Sequence, residues 1–273
     1  MHVVRDYFTA DDGTMIYYES YIPKTYGRSV VIVHGYSEYI GRYKELISFL
    51  YDHNIAVHGM DARGHGDSDG IRAHVNCWSE YTSDLHRFIS KIKNEVKPIM
   101  FAHSMGTIVA SNYLIEYGCQ DISALIFSGT AVKTDNATPW YMITFAKLLS
   151  KIAPTLPLNL KFNVEYSCSD PEVIAQAKED PKMFGTATPR WGTEMLKAIQ
   201  RTKLHTEIYG KPLLMLHGEK DRITDYKAAK AFFDSIKSRE KQFISYPHSY
   251  HEILYDKDKE KVFGDILSFI EDH

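Results

Sequence analysis

Two kinds of apolar pattern alternate along the first half of the chain. From Tyr7 to Tyr21 apolar and polar residues alternate about Asp11-Asp12-Gly13, which predicts an antiparallel edge hairpin. Ser29 to His34 is instead a continuous Val/Ile run, the mark of a strand buried on both faces of a parallel sheet, and it breaks at Gly35. A helix is expected from about Ile40 to His53, and Ile55 to Met60 reads as the next short strand. A long turn rich in glycine and aspartate follows, Asp61-Ala-Arg-Gly-His-Gly-Asp-Ser-Asp-Gly70. Trp78 to Glu95 carries apolar residues at three- and four-residue spacing, as an amphipathic helix does. Pro98 to Thr107 then runs a buried strand straight into a helix that reaches Tyr117 and stops at Gly118, and Ile122 to Phe127 is another buried strand. Strand and helix alternating in this way imply an α/β fold, a mostly parallel twisted sheet with helices on both faces.

The alternation fails from Thr130 to Tyr209, a stretch far longer than the ~10–12 residues that a strand-to-strand crossover needs. It reads as an insertion, with an apolar segment Trp140 to Leu149, a proline-punctuated link Ala153 to Leu158, and helical stretches near Pro171–Lys178 and Trp191–Lys203. A helical cap is the natural expectation. Regular order resumes with a strand Leu213–His217, a helix Tyr226–Ile236, a strand Gln242–Tyr246 and a last helix from about Lys257 to Ile270. The expected organisation is a core of residues 1–129 and 210–273 interrupted by a cap of residues 130–209.

Bulk numbers narrow the class. At 273 residues with 44% hydrophobic and 25% charged, the chain can bury the core of one large α/β domain. A net charge of −3 without a long basic run argues against a nucleic-acid partner. Three widely spaced cysteines, Cys77, Cys119 and Cys168, argue against a disulfide framework and fit a reducing, cytoplasmic setting in which they are small buried filler. The N-terminus reads as neither signal peptide nor membrane span, and no stretch is apolar for the ~18 residues a spanning helix needs. Peripheral contact with a membrane surface stays open, and the sequence says nothing of oligomeric state.

The chemistry centres on Ser104, at the bend of Ala102-His-Ser-Met-Gly106. A strand-turn-helix this tight strains its central residue, so the positions two before and two after must be small, as Ala102 and Gly106 are. The next amide, that of Met105, opens a helix where a developing oxyanion is stabilised. An ordinary helix-capping serine is the rival reading. A serine hydroxyl needs a base oriented by a carboxylate, and on a sheet of this kind these follow in the order Ser, Asp, His after later strands. Asp221 in His217-Gly-Glu-Lys-Asp-Arg222 and His251 in Pro247-His-Ser-Tyr-His-Glu252 stand in those places, with Glu219 and Asp225 as rival acids and His248 as a rival base. The second oxyanion donor is expected in the loop after the first central strand, from the backbone of Tyr36, with Gly35 letting that loop approach the serine. His251-Glu252 lacks the second histidine of a zinc-protease helix, and the pair His248 and His251 has no matching carboxylate or cysteine at ligand spacing, so no metal is expected, and acyl transfer by a serine needs no cofactor.

With those residues in place the sequence resembles the lid-bearing serine hydrolases of the α/β-hydrolase fold that include monoacylglycerol lipases and lysophospholipases. His34-Gly-Tyr-Ser-Glu38-Tyr-Ile-Gly-Arg42-Tyr43 is similar to that family's His-Gly-x-x-Glu-x-x-x-Arg-Tyr segment, and the turn Asp61–Gly70 matches its glycine-rich turn. Ser169-Asp-Pro-Glu-Val173 with Asp180-Pro181 looks like the monoacylglycerol-lipase cap. The resemblance implies a triad of Ser104, Asp221 and His251, oxyanion donors at Tyr36 and Met105, and a lipid ester substrate, monoacylglycerol before lysophospholipid, other carboxylic esters or thioesters. Glu38 and Arg42, four apart, would form an ion pair near the polar head of the substrate or one that fixes the oxyanion loop. Asp61, Arg63 and His65 read as structural, because a turn dense in buried polar groups must satisfy itself. Ala102 and Thr107 depart from the family's glycines, and the expectation is a narrower pocket behind the serine. Trp140, Met142, Ile143, Phe145, Leu148 and Leu149 would line an acyl tunnel, lean on a membrane or form plain cap core. Because fold alone does not fix function, a non-catalytic lipid-binding module is the reading from a different class.

Overall fold

The computed structural model describes residues 1–92, 96–133, 140–160 and 163–273, with only the backbone of residues 140–143. The opening hairpin is β1 (Val3–Thr9) on β2 (Met15–Tyr21), antiparallel with Thr9 opposite Met15. β3 (Arg28–Val33) leads through a short 3₁₀ turn, Ile40–Tyr43, into α1 (Lys44–Asp52), and β4 (Ile55–Met60) follows. Then come α2 (Ser79–Ile92), β5 (Ile99–His103), α3 (Met105–Tyr117) and β6 (Leu125–Ser128).

After β6 the chain leaves the sheet. It forms α4 (Trp140–Ile152), the two-residue strand β7 (Leu158–Asn159), a 3₁₀ turn Val164–Tyr166, α5 (Pro171–Glu179), β8 (Thr186–Ala187) and α6 (Pro189–Leu204). β7 and β8 pair antiparallel as a ribbon apart from the main sheet, an element too short to leave a sequence pattern. The core resumes with β9 (Leu213–Gly218), α7 (Tyr226–Ser235), β10 (Lys241–Tyr246) and α8 (Lys259–Asp272).

The main sheet has the order β1-β2-β4-β3-β5-β6-β9-β10. β2 meets β4 antiparallel, and every pairing from β4 onward to β10 is parallel. Side chains of a strand point to alternate faces, and here both faces are apolar. On β3 and β5 one face carries Val31, Val33, Met100 and Ala102 against α2, α3 and α7; the other carries Val30, Ile32, Ile99 and Phe101 against α1 and α8. Burying both faces is what makes these strands read as unbroken Val/Ile runs. Helix α3 is buried from Met105 to Leu114, sheet on one side and α6 on the other, where Asn112 donates to Ala198 O (3.2 Å) and Thr202 Oγ1 (3.1 Å). Its apolar residues therefore have no amphipathic period.

In the glycine-rich turn Asp61 and Arg63 are satisfied, largely by residues outside it, whereas buried His65 bonds through Nδ1 to Arg63 O at 3.0 Å and its Nε2 has no partner. Asp61 accepts from Ile40 N at 2.7 Å and Asp67 N at 2.8 Å, and Arg63 grips Asp84 with two bonds of 2.7 and 2.8 Å while reaching Asp12 at 2.7 Å. The cysteines depart from expectation. All three thiols are free, but only Cys168 is buried, whereas Cys77 is exposed and Cys119 intermediate. No helix among the described residues is long and apolar enough to cross a membrane.

Candidate active site

The parallel strands all end at one edge of the sheet, and the loops that follow them there carry the candidate residues. Ser104 follows β5, Asp221 follows β9, His251 follows β10 and Tyr36 follows β3. Ser104 has φ +50° and ψ −120°, outside the regions L-residues favour, and its side chain makes no bond capping α3. The helix-cap reading is thereby excluded. A Cβ on Gly106 would lie 2.2 Å from Val33 O and 2.7 Å from His34 O, so the turn closes only over glycine there. A Cβ on Gly35 would stand 3.1 Å from Ser104 Cβ, which is the close approach its absence permits.

Thr107 does not line the space beside the serine. Its hydroxyl donates to Ser104 O at 2.7 Å and accepts from Ala131 N at 3.2 Å, pinning the elbow from behind and tying it to the start of the insertion. Ala102 is fully buried in β5. Neither side chain is among those that border the cavity beside the serine.

Asp221 and His251 meet. His251 Nδ1 lies 2.7 Å from Asp221 Oδ2, and Asp221 Oδ1 accepts the amides of Ile223 and Thr224, each at 2.8 Å. Thr224 Oγ1 donates to Oδ2 at 2.7 Å. His217 Nε2 stands 3.2 Å from the same oxygen. A carboxylate only accepts, so both imidazoles present N–H to it. Burial works against the Asp221 charge, but His251 and His217 outweigh it and hold this carboxyl well below its usual range. Burial also works against a charged His251; the Asp221 carboxylate, with Glu252 and Glu38 behind it, prevails and raises the imidazole above its ordinary value. The rivals are occupied elsewhere: Glu219 accepts from Ser245 Oγ at 2.7 Å, Asp225 caps α7 and pairs with Lys133, and His248 is exposed.

Ser104 and His251 both border a cavity of about 200 Å³. Its walls are mainly apolar, with Tyr36, Met105 and Ile223 from the core and Leu160, Met183, Trp191 and Met195 from the insertion; Glu38 and Glu252 are the acidic exceptions. The amide of Met105 opens α3 and so has no acceptor within the helix. His34 Nε2 accepts from Ala62 N at 2.8 Å, which leaves Nδ1 to donate to Gly35 O, also at 2.8 Å, and so orients the peptide whose N–H belongs to Tyr36. His103, beneath the serine, is pushed down to about 3 by burial and then by its neighbour His251, and is neutral.

The ion pair expected between Glu38 and Arg42 is not the one formed. Glu38 Oε2 accepts from Gly35 N (2.7 Å) and Tyr43 OH (2.8 Å), holding the loop from below. Arg42 instead pairs with Glu252 at 2.8 Å and stacks over Tyr255 at 5.1 Å. The reason is local: the segment is a 3₁₀ turn that begins only at Ile40, so Glu38 lies outside it and four-residue spacing does not bring the two together. Arg42 does not border the cavity, and Glu38 does. The apolar segment of the insertion is also placed differently: Phe145 and Leu148 are 60% and 55% exposed, and neither they nor Leu149 borders the cavity. The side chains of Trp140, Met142 and Ile143 lie outside the described residues. His217 and Thr224 are the residues that sequence reasoning passes over. The signal for Thr224 was present, a hydroxyl three residues after a turn aspartate, whereas nothing local marks His217 as a second imidazole on Asp221.

Comparison with known proteins gives the family and the fold. The Hydrolase_4 model, described as serine aminopeptidase S33, matches residues 26–258. A monoacylglycerol lipase of Mycolicibacterium smegmatis is 30% identical over 97% of this chain and 96% of its own length, and a phospholipase of Bacillus subtilis is 28% identical over 89% and 95%. Among solved structures, the monoacylglycerol lipase of Paleococcus ferrophilus superposes with a TM-score of 0.83 at 26% identity, over 99% of this chain and 98% of that one. A soluble variant of the Saccharomyces cerevisiae monoglyceride lipase, in complex with a substrate analogue, reaches 0.87 at 22% identity over 98% and 94%. By fold, edge geometry and sequence alike, the chain belongs to the Hydrolase_4 (serine aminopeptidase S33) family, as an α/β-hydrolase of the monoacylglycerol lipase type.

Proposed function

We propose that the protein hydrolyses monoacylglycerol to fatty acid and glycerol, with Ser104 as nucleophile, His251 as base and Asp221 as its orienting acid. The observation that carries this reading is the 2.7 Å bond from His251 to Asp221 beside a strained serine in one apolar cavity. Because His251 Nδ1–H points at Asp221, its Nε2 lone pair takes the Ser104 proton as Oγ attacks the ester carbonyl. The carbonyl oxygen gains the negative charge, which the amides of Tyr36 and Met105 receive. As the tetrahedral intermediate collapses, His251 returns the proton to the departing glycerol oxygen. Water, deprotonated by the same imidazole, then attacks the acyl-enzyme, and the fatty acid leaves with Ser104 reprotonated.

Residues 130–209 act as a cap on the core of 1–129 and 210–273. Leu160, Met183, Trp191 and Met195 give the acyl chain an apolar bed, while Glu38 and Glu252 offer acceptors to the glycerol hydroxyls. Arg42 serves the polar end indirectly, by holding Glu252. Phe145, Leu148, Ile152, Leu156 and Leu160 project from the cap with half or nearly half of their surface exposed, a face suited to resting on a lipid surface from the cytoplasmic side.

A fluorophosphonate label and a substrate panel test the proposal. One label per chain on Ser104, lost in Ser104→Ala together with turnover of monoacylglycerol, is the expected result. An unlabelled folded protein points to a binding module instead, and preference for a lysophospholipid over monoacylglycerol overturns the substrate.

A further inference from the structure

We infer that the cap sets the oxyanion hole through Ser37, a positioning residue for the Tyr36 amide; the inference rests on the ester-hydrolase reading above. Ser37 follows Tyr36 in the loop after β3, is almost wholly buried and has φ +63°. An L-residue in that left-handed region carries a cost that glycine would avoid, so a serine retained there has to be repaid by its hydroxyl. That hydroxyl accepts from Phe184 N at 2.7 Å and donates to Phe184 O at 2.6 Å, engaging both backbone polar groups of a single cap residue. Glycine can make neither bond.

The clamp is reinforced on both sides. Tyr36 OH donates to Thr186 O at 2.9 Å, Tyr39 OH donates to Asp180 Oδ2 at 2.7 Å, and the Phe184 ring meets the Tyr36 ring edge-on at 5.4 Å. The peptide that carries the Tyr36 N–H is therefore held at two ends by two different parts of the molecule. His34 and Glu38, both from the core, fix the Gly35 end. Cap residues 180–186 fix the Tyr36 end through Ser37 and its neighbours. Seating of the cap and completion of the oxyanion hole are then one event, and a cap lifted from this loop leaves one of the two donors misaimed.

Ser37→Gly removes both bonds while relieving the backbone strain, so it separates positioning from folding. The melting temperature should stay within a few degrees of wild type. Turnover of both a short p-nitrophenyl ester and a long-chain monoacylglycerol should fall about tenfold or more, approaching the loss seen when an oxyanion donor is deleted, with the short ester's KM unchanged. Affinity for butylboronic acid, whose serine adduct places an oxygen where the oxyanion forms, should fall by the same factor as turnover. If Ser37→Gly does not fold, Tyr36→Phe, which deletes the bond to Thr186, should lower turnover and boronate affinity together. Unchanged turnover, or a loss confined to the KM of the long-chain substrate, overturns the inference while leaving an active wild-type hydrolase. A wild type that neither hydrolyses esters nor takes a fluorophosphonate overturns both.

Discussion

Strand β5 is buried at every position and leads directly into Ser104, whereas helix α4 leaves Phe145, Leu148 and Ile152 more than half exposed. The sheet edge and the cap thus use apolar residues for opposite ends. At the edge, burial of both sheet faces fixes the strands, so short loops can hold Ser104, Asp221 and His251 in strained or multiply bonded conformations. A buried aliphatic side chain contributes about 1.5–3 kcal/mol, and the two apolar clusters supply many such groups to offset a single strained elbow. On the outer side of α4 the same residue types face solvent, where they add little folding energy, while Ala187, Trp191 and Ala198 of the same segment are buried. On the proposed reading, reaction chemistry sits on the sheet edge and substrate acquisition on residues 130–209, with loop 36–39 as the seam.

Perturbing the rim should be far more costly to chemistry than perturbing the cap. Asp221→Asn keeps the fold but reverses the donor at His251 Nδ1, and kcat should fall by about 10⁴-fold, as loss of the orienting acid does elsewhere. The wild-type acid limb of kcat/KM should lie above the ordinary histidine value, since His251 is raised and must be neutral to act. In Asp221→Asn that limb should move to lower pH, because burial then acts without its counter-charge.

Acid stability sharpens the contrast next. His58, His65 and His103 are buried among the strands and their turns, and burial pushes them down to about 4, 3 and 3. Between those values and 6.5 only the unfolded chain takes up their protons, so stability falls as pH drops below 6.5. By pH 5 the loss is about 2 kcal/mol apiece. His251 has the opposite sign, stabilising below 6.5 and ceasing to do so as pH rises through its raised value; His273 is raised too and His74 lowered, so two groups stand against four. Asp221, held low, gives its stability up only below the ordinary carboxylate range. The melting temperature followed from pH 7 to 4.5 should drop steeply, and His58→Asn should flatten that slope.

A smaller effect is expected where rim and cap join. Thr107→Val conserves shape but leaves Ala131 N without its partner and takes from Ser104 O one of its two donors, the Thr107 amide remaining at 2.9 Å, for a loss of about 1–3 kcal/mol by chemical denaturation. The smallest belongs to the cap's outer face: Phe145→Asp with Leu148→Asp should weaken sedimentation with lipid vesicles while turnover of a short water-soluble ester stays within about twofold. Equal loss of short-ester turnover would erase the distinction between the two regions.

What could be read from the residues follows the same division. The strands of the parallel sheet, the elbow and the order Ser, Asp, His are written in local runs and turns, and α3 is read from Met105 to Tyr117 as it stands. Long-range partners are not local. Arg42 meets Glu252 across 210 positions; His217 stands only four residues before Asp221, but its side chain reaches the carboxylate only through the turn that ends β9. The outward face of α4 is equally hidden, since an apolar segment reads the same whether it fills a core or waits for a membrane. Ser37 left no trace at all: its positive φ and its two bonds to Phe184 exist only once residues 147 positions apart meet.

Trapping the acyl-enzyme tests the mechanism most directly. Mixing the protein with a slowly deacylating p-nitrophenyl ester, quenching in acid and mapping peptides by mass should find one acyl group per chain, on the peptide that contains Ser104, and none in Ser104→Ala. Hydrolysis that continues at the wild-type rate in Ser104→Ala, or an acyl group on any other residue, would contradict it.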